Sequence, residues 1–391
     1  MVERLRILFT IPNFITAGSG RALLNIVERL DKDKFAPAVC VMRKGGSLDK
    51  EVEAMGIPFI EAPFTVPARP YSTLPFRAWR AARMFRPYHF DLWHSFNYAD
   101  DYTEPIIARL SGGRAWVYTK KNMNWRRRSW HLRTLLATRI AALNTDMMQE
   151  FFSHRLSSAK TYLIPRGIDI RRYRPNTASG LPIRERLDID SGAIVVGCVA
   201  QLVPVKGHPT LLRAISQVPD VKLLIAGAPL DQEYSGSLGV LCGDLGIEGR
   251  VVLLGSVTDV PGFLSELDIF VLPTCAPGEG CPVALLEAMA AGKACIATDI
   301  PGSRDLIQDE RNGLLVPSED PRALADAIRK LSSSPELRCK LGAAARATVE
   351  EQFSIEREVV NHEQLYEEIF GKVKRNGVPA SGVEISREAL R

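Results

Sequence analysis

The stretch Pro277–Lys293, PGEGCPVALLEAMAAGK, runs from a loop punctuated by glycine and proline into an apolar helical segment. Pro282 suits a first helical turn and Gly292 a position just past the last, so a helix is expected over Pro282–Ala291. Its N–H groups would point at the Glu279-Gly280-Cys281 loop, which makes a ready anion site. Glu287 falls about one and a half turns inside this otherwise apolar helix. A carboxylate buried there without a donor would cost several kcal/mol, so it needs a hydroxyl or a cationic partner. A ribose diol would serve; a structural salt bridge with a nearby arginine is the plain alternative.

Around this segment the pattern is one of short apolar runs alternating with helical ones. In the second half Ala193–Val199, Val221–Ala226, Val251–Leu254, Ile269–Leu272, Ala294–Thr298 and Gly313–Val316 read as strands. The first half carries a similar series at Leu5–Phe9, Ala38–Met42, Pro58–Glu61, Phe90–His94, Trp116–Thr119 and Thr161–Ile164. Such alternation implies βαβ units and parallel sheets. Two doubly wound α/β domains are therefore expected, with Pro165–Pro175 as the linker and a cleft between the carboxyl ends of the two sheets, where ligands bind.

Composition agrees with a folded soluble chain of 391 residues, long enough for two cores. No apolar run approaches the roughly 18 residues a spanning helix needs, and the N-terminus lacks a signal-peptide layout. Seven cysteines without a CxxC pair point to reduced thiols, mostly core fillers, and a cytoplasmic address. Charge is uneven: 26 Lys/Arg face 15 Asp/Glu from Met1 to Ile170, and 24 face 30 thereafter. That asymmetry suggests two units facing different partners.

The loop and helix, followed by Ala297-Thr-Asp-Ile-Pro-Gly302 and Asn312-Gly-Leu-Leu-Val316, resemble glycosyltransferase family 4, a group of retaining GT-B enzymes. Glu279 and Glu287 match its paired-glutamate motif. The resemblance implies that Glu279 contacts donor-sugar hydroxyls, that Glu287 binds the nucleotide ribose, and that Gly280, Cys281, Pro282 and Val283 offer backbone to the donor. Val199-Ala-Gln-Leu-Val-Pro-Val-Lys-Gly-His208 looks like the family's donor-phosphate segment, with Lys206 neutralising the diphosphate. Gln201 stands where arginine is usual, and an amide cannot replace a guanidinium as a charge partner. Leu163-Ile-Pro-Arg-Gly-Ile-Asp169 with Tyr173-Arg-Pro175 resembles the family's interdomain linker. Leu253-Leu-Gly-Ser-Val-Thr258 resembles the base-binding stretch, making Val257 a base contact. On the acceptor side, Gly18-Ser19-Gly20 matches the first Gly-rich loop, although GSG alone is more often a simple turn. His94, at the end of Asp91-Leu-Trp-His94, matches the family histidine near the acceptor; a lone histidine is as often structural.

The resemblance implies a GT-B fold of two doubly wound Rossmann-like domains facing each other across a cleft. Residues 1–168 would bind the acceptor and 169–352 the nucleotide sugar. Residues 353–373 would form a helix crossing back to the first domain, and 374–391 a disordered tail. The implied reaction is retaining transfer from a nucleotide-diphosphate sugar to a hydroxyl of a glycan or lipid-linked acceptor in cell-envelope polysaccharide or lipopolysaccharide synthesis. Glu279, Lys206 and His94 would be catalytic. A UDP-sugar is the first expectation for the donor, with GDP- and ADP-sugars as the other options. No metal or cofactor is expected, because lysine and helix dipoles can neutralise the diphosphate. A sugar-nucleotide epimerase or hydrolase of the same fold, or a non-catalytic nucleotide-sugar-binding protein, remains open.

Rival signals are weak. Asp188-Ile-Asp190 reads as a loop rather than a metal motif, no P-loop occurs, and Leu23 and Arg43-Lys44 break a nicotinamide fingerprint. Finally, Lys120–Arg133 holds six Lys/Arg, two Trp and no acid. A solvated helix face is the plain reading and nothing else resembles a nucleic-acid module. Cations interleaved with tryptophan suit an anionic membrane surface, so the expectation is a peripheral enzyme on the inner face of the cytoplasmic membrane.

Overall fold

The computed structural model describes residues 4–15, 17–124, 129–175 and 182–371. The chain forms two units, one of residues 4–166 with 355–371 and the other of 167–354. The divisions at Arg166/Gly167 and Ser354/Ile355 lie within two residues of the expected 168 and 352.

The first unit is built on seven strands: β1 (Leu5–Ile11), β2 (Phe35–Val41), β3 (Phe59–Glu61), β4 (Leu92–Ser95), β5 (Ala115–Lys120), β6 (Arg139–Ala142) and β7 (Thr161–Leu163). They pair in parallel in the order β3-β2-β1-β4-β5-β6-β7. β1 is buried along nearly its whole length, which is why it reads as a near-continuous apolar run rather than an alternating one, and β4 is buried throughout although it ends in His94 and Ser95. β6 was not expected. Its sequence, Arg-Ile-Ala-Ala, offers a single β-branched residue, and its place between β5 and β7 outweighs that weak propensity. The helix Ile355–Ile369 belongs to this unit, where Val359, Leu365 and Tyr366 join the core around Phe9.

The second unit holds β8 (Ile194–Val199), β9 (Val221–Ala226), β10 (Val251–Gly255), β11 (Ile269–Leu272), β12 (Ala294–Thr298) and β13 (Leu314–Val316). These too are all parallel, in the order β10-β9-β8-β11-β12-β13. Helices cover both faces and bury one apolar cluster on each. Their ends follow from local chemistry. Asp320 caps Pro321–Ser332 by accepting from Arg322 and Ala323 N–H, proline occupies the first turn, and Arg329 and Lys330 sit at the negative end.

Strand order reverses between β1 and β4 in the first unit and between β8 and β11 in the second. Loops leaving adjacent strands in opposite directions open a crevice at such a point, and it is there that ligands bind in open α/β sheets. Among the described residues no helix is long and apolar enough to cross a membrane. The expected tail, 374–391, lies outside the described residues.

Candidate active site

In the second unit both loops at the reversal carry chemistry. The loop after β8 ends in a short turn, Pro204–Lys206, followed by Gly207 at φ +69°. Only glycine fits there: a Cβ would lie 1.9 Å from the Pro273 carbonyl oxygen. That close approach brings the loop after β11 against it, and Cys275 N–H donates to the Val205 carbonyl at 2.8 Å. Lys206 Nζ then meets Glu279 Oε1 at 2.7 Å, and the Thr274 hydroxyl donates to the same oxygen at 2.8 Å. Neither member of the pair is sealed from water, the side chains being 19% and 22% exposed.

The helix that follows spans Val283–Ala290, with Gly292 at φ +71° just beyond it. Apart from Glu287 it is apolar on all sides and mostly buried, as its composition requires. Its first two N–H groups, on Val283 and Ala284, find no acceptor among the described residues. Glu287 projects from this helix, and the Tyr173 hydroxyl donates to its Oε1 at 2.7 Å. No arginine lies within ion-pair distance of it among the described residues, so the carboxylate has the hydroxyl partner rather than the salt bridge. Burial pushes its carboxyl up to about 7, against the Tyr173 hydrogen bond and the Arg172 charge, which favour ionisation.

A raised carboxyl is protonated in the folded chain at pH values where the unfolded chain has lost the proton. Stability linked to Glu287 is therefore present below about pH 4.5 and lost as pH rises through about 7. Glu287→Gln keeps an acceptor for Tyr173 and removes the charge. Its unliganded melting temperature should exceed that of the wild type at pH 8, with the gap closing towards pH 5. A gap that stays constant across this range would mean that Glu287 is solvated.

Gln201 is exposed with no side-chain partner among the described residues, and Val257 is half-buried against the apolar cluster that holds Leu272 and Leu285. His208, next to Lys206, is buried. Its Nδ1 meets the Tyr234 hydroxyl at 3.2 Å, while burial and then the Lys206 charge push it down to about 4, so it is neutral.

Two acceptor-side expectations are corrected in the first unit. His94 is fully buried: Nδ1 meets the Tyr366 hydroxyl at 2.6 Å and Nε2 the Thr119 hydroxyl at 2.8 Å. Burial and the neighbouring His362, Arg166 and Lys121 hold it well below the usual histidine range. With both nitrogens engaged in the core, its place is structural. Gly18, Ser19 and Gly20 form no loop either. They lie in the first turn of the helix Ala17–Arg29, and a Cβ on Gly20 would stand 2.7 Å from the Phe14 ring. That glycine serves packing.

The basic stretch also divides differently from its sequence reading. Lys120, Trp130 and Arg133 are buried, and Lys121 donates to the Phe96 carbonyl. Lys120 Nζ donates to Asn122 Oδ1 and the Asn124 carbonyl, and burial pushes it down to about 7. The described cations of the segment thus turn inward; its Trp125 and Arg126–Arg128 lie outside the described residues. What the first unit does offer is a cavity of about 820 Å³ at its own strand reversal. Its lining includes Pro12, Asn97, Tyr98, Asp100, Tyr102, Arg69 and Tyr71.

Sequence reasoning missed Tyr173 and Thr274, the hydroxyls that hold the two glutamates. Tyr173 stood inside the linker motif without a role. Thr274 is one polar residue after an apolar strand, a signal too small to single out.

Comparison with known proteins fits this geometry. Residues 182–348 match the family described as Glycosyl transferases group 1, and residues 16–172 match Glycosyltransferase Family 4. The chain belongs to the glycosyltransferase family 4 group. It is 30% identical over 207 residues to a GDP-mannose-dependent alpha-(1-6)-phosphatidylinositol monomannoside mannosyltransferase of Mycobacterium tuberculosis, covering 50% of this chain and 53% of the relative. The chain thus spans about half the length of the curated relatives it matches. Among solved structures, a glycosyltransferase from Rickettsia africae ESF-5 superposes with a TM-score of 0.84 at 20% identity, covering 95% of this chain and all of the other. Anabaena Alr3699/HepE in complex with UDP and glucose gives 0.77 at 22%, with the same coverage. The likeness establishes the GT-B fold.

Proposed function

We propose that the chain is a retaining glycosyltransferase that moves a sugar from a nucleotide-diphosphate donor to a hydroxyl of a glycan or lipid-linked acceptor. The observation that carries this reading is the Lys206–Glu279 pair at the β8/β11 reversal, with Glu287 on the very next helix. A diphosphate set there would draw Lys206 and the Val283 and Ala284 N–H groups onto its oxygens. Glu279 would then be left to accept from donor-sugar hydroxyls. The oxygen of Glu287 opposite the Tyr173 bond would accept from the ribose.

In this reading the bond from the sugar anomeric carbon to the diphosphate breaks, and its electron pair goes to the departing phosphate oxygen. The acceptor hydroxyl oxygen bonds to the same carbon on the same face and passes its proton to that phosphate. Charge grows on the diphosphate as the bond opens, so donors aimed at it stabilise the transition state more than the ground state. No protein nucleophile takes part. Lysine and backbone N–H do the neutralising, so dialysis against EDTA should leave the rate unchanged.

The acceptor half of the reading draws on the cavity of the first unit, whose lining tyrosines and carboxylates suit a sugar ring. The Mycobacterium relative is named for a phosphatidylinositol mannoside acceptor, which supports a lipid-linked one here. Printed names point to different donors, GDP-mannose for that relative and UDP for the Anabaena complex, so the base is a matter for screening. UDP-, GDP- and ADP-sugars should be ranked by thermal shift, then incubated with and without envelope glycolipid extract. Sugar should appear in the lipid fraction and depend on the acceptor. Equal release of free sugar without acceptor would replace transfer by hydrolysis.

A further inference from the structure

We propose that the helix Leu74–Phe85, with the turn leading into it, is a docking face for an anionic lipid bilayer. From Ala62 to Phe90 the chain has five arginines and no Asp or Glu. The helix turns Ala78, Ala81, Ala82 and Phe85 inward, against the helix Thr103–Leu110. Its other face presents Phe76, Trp79 and Met84, which are 62%, 39% and 48% exposed, with Arg80 and Arg83 among them. The Phe76 and Trp79 rings stack at 6.2 Å, and the Arg83 guanidinium lies 4.9 Å over Trp79. Arg77 donates to the Arg69 and Pro70 carbonyls at 3.0 and 2.7 Å, which fixes the exposed Tyr71 at the foot of the helix. None of the five arginines is within ion-pair distance of a carboxylate among the described residues.

Single exposed apolar side chains need no explanation, but a contiguous group of them marks an interaction site. This one combines large apolar residues with unneutralised cations, the composition of a helix lying in the headgroup region of an anionic bilayer. A second copy of the chain fits poorly, because two such faces would oppose like charges. A polynucleotide would take up the arginines and leave Phe76 and Met84 in water. Lys120, Lys121 and Arg133 of the basic stretch turn inward, whereas Arg80 and Arg83 of this helix are exposed. Arg69 and Tyr71 also line the cavity of the first unit, so docking would set its mouth at the lipid surface. The inference concerns lipid binding alone. Vesicle binding without sugar transfer would leave it standing while the transferase reading fell.

The test is flotation of the full chain with phosphatidylcholine vesicles, with and without phosphatidylglycerol, at low and high salt. The wild type should float only with the anionic vesicles, and less as salt rises. Arg80→Ala/Arg83→Ala should lower the partition coefficient by about 30-fold, the equivalent of about 2 kcal/mol at about 1 kcal/mol per cation near the surface. Phe76→Ser/Trp79→Ser should abolish flotation with an unchanged melting temperature, which shows the helix still folded. Leu132→Ser/Leu135→Ser, on a different exposed apolar face, should float like the wild type. The proposal is overturned if the wild type ignores anionic vesicles at low salt, or if neither variant of the helix changes flotation. It is equally overturned by self-association that the same substitutions abolish, or by arginine-dependent binding of a DNA or RNA oligonucleotide without vesicle binding.

Discussion

Replacing Lys206 with alanine should lower kcat by about 10²-fold, the scale on which one transition-state donor is lost. Lys206 is held where charge would build by the turn Pro204–Lys206 and the close approach of Gly207 to Pro273. Its present partner is Glu279, and the pair is partly open to water. An ion pair so placed contributes about 1 kcal/mol or less to stability. Lys206→Ala should thus melt close to the wild type while losing most of its turnover, and Lys206→Arg should keep more of it than Lys206→Met. Gln201→Arg should be tolerated, since Gln201 stands exposed with room for the larger group. A Lys206→Ala variant with a lowered melting temperature and wild-type kcat would make the pair structural.

Truncating Arg133 to alanine should destabilise the first unit by about 3–5 kcal/mol. The side chain is fully buried, and its guanidinium donates to the Asp101 carbonyl at 2.6 Å and to the Ser95 hydroxyl at 2.9 Å. Glu104 Oε2 stands 3.7 Å away, itself fully buried and also held by the Thr10 and Ser95 hydroxyls. The guanidinium lies 4.9 Å from the faces of both Trp116 and Tyr118. Arg133→Ala leaves a carboxyl in the core without its cation, and burial already raises that carboxyl above the usual range. The calorimetric transition of the first unit should therefore move down by several degrees. Arg133→Met/Glu104→Gln should recover much of the loss, because neither charge then remains. An Arg133→Ala shift no larger than that of Arg155→Ala, an exposed arginine, would show the network to be solvated.

Arg133 also marks the limit of what its sequence conveys. It stands in the same run as Lys120 and Lys121, with nothing in residue type to mark these cations as ones that turn inward. The difference lies in Glu104, Ser95 and Asp101, which come from a different helix, strand and loop. The same holds for His94, whose partners Tyr366 and Thr119 lie 272 and 25 residues away. By contrast, the parallel sheets were legible because buried strands such as Ile194–Val199 and Ile269–Leu272 are continuous apolar runs between glycine and proline signals. The helix Val283–Ala290 came within a residue of its expected span at each end, because Pro282 and Gly292 are local signals. Its carboxylate was visible as an anomaly. The answering hydroxyl of Tyr173, 114 residues away, was not.

The central claim is that the second unit binds a nucleotide diphosphate with Glu287 on the ribose and Glu279 on the sugar. Calorimetric titration of UDP, GDP and ADP into the wild type, Glu287→Ala and Glu279→Ala tests it most directly. One of the three nucleotides should bind the wild type. Its Kd should rise by about tenfold or more in Glu287→Ala, as for a lost hydrogen bond to a charged group. In Glu279→Ala it should stay within about twofold, a few tenths of a kcal/mol, because a free nucleotide lacks the sugar. Equal weakening in both variants, or no binding of any nucleotide by the wild type, would contradict the account.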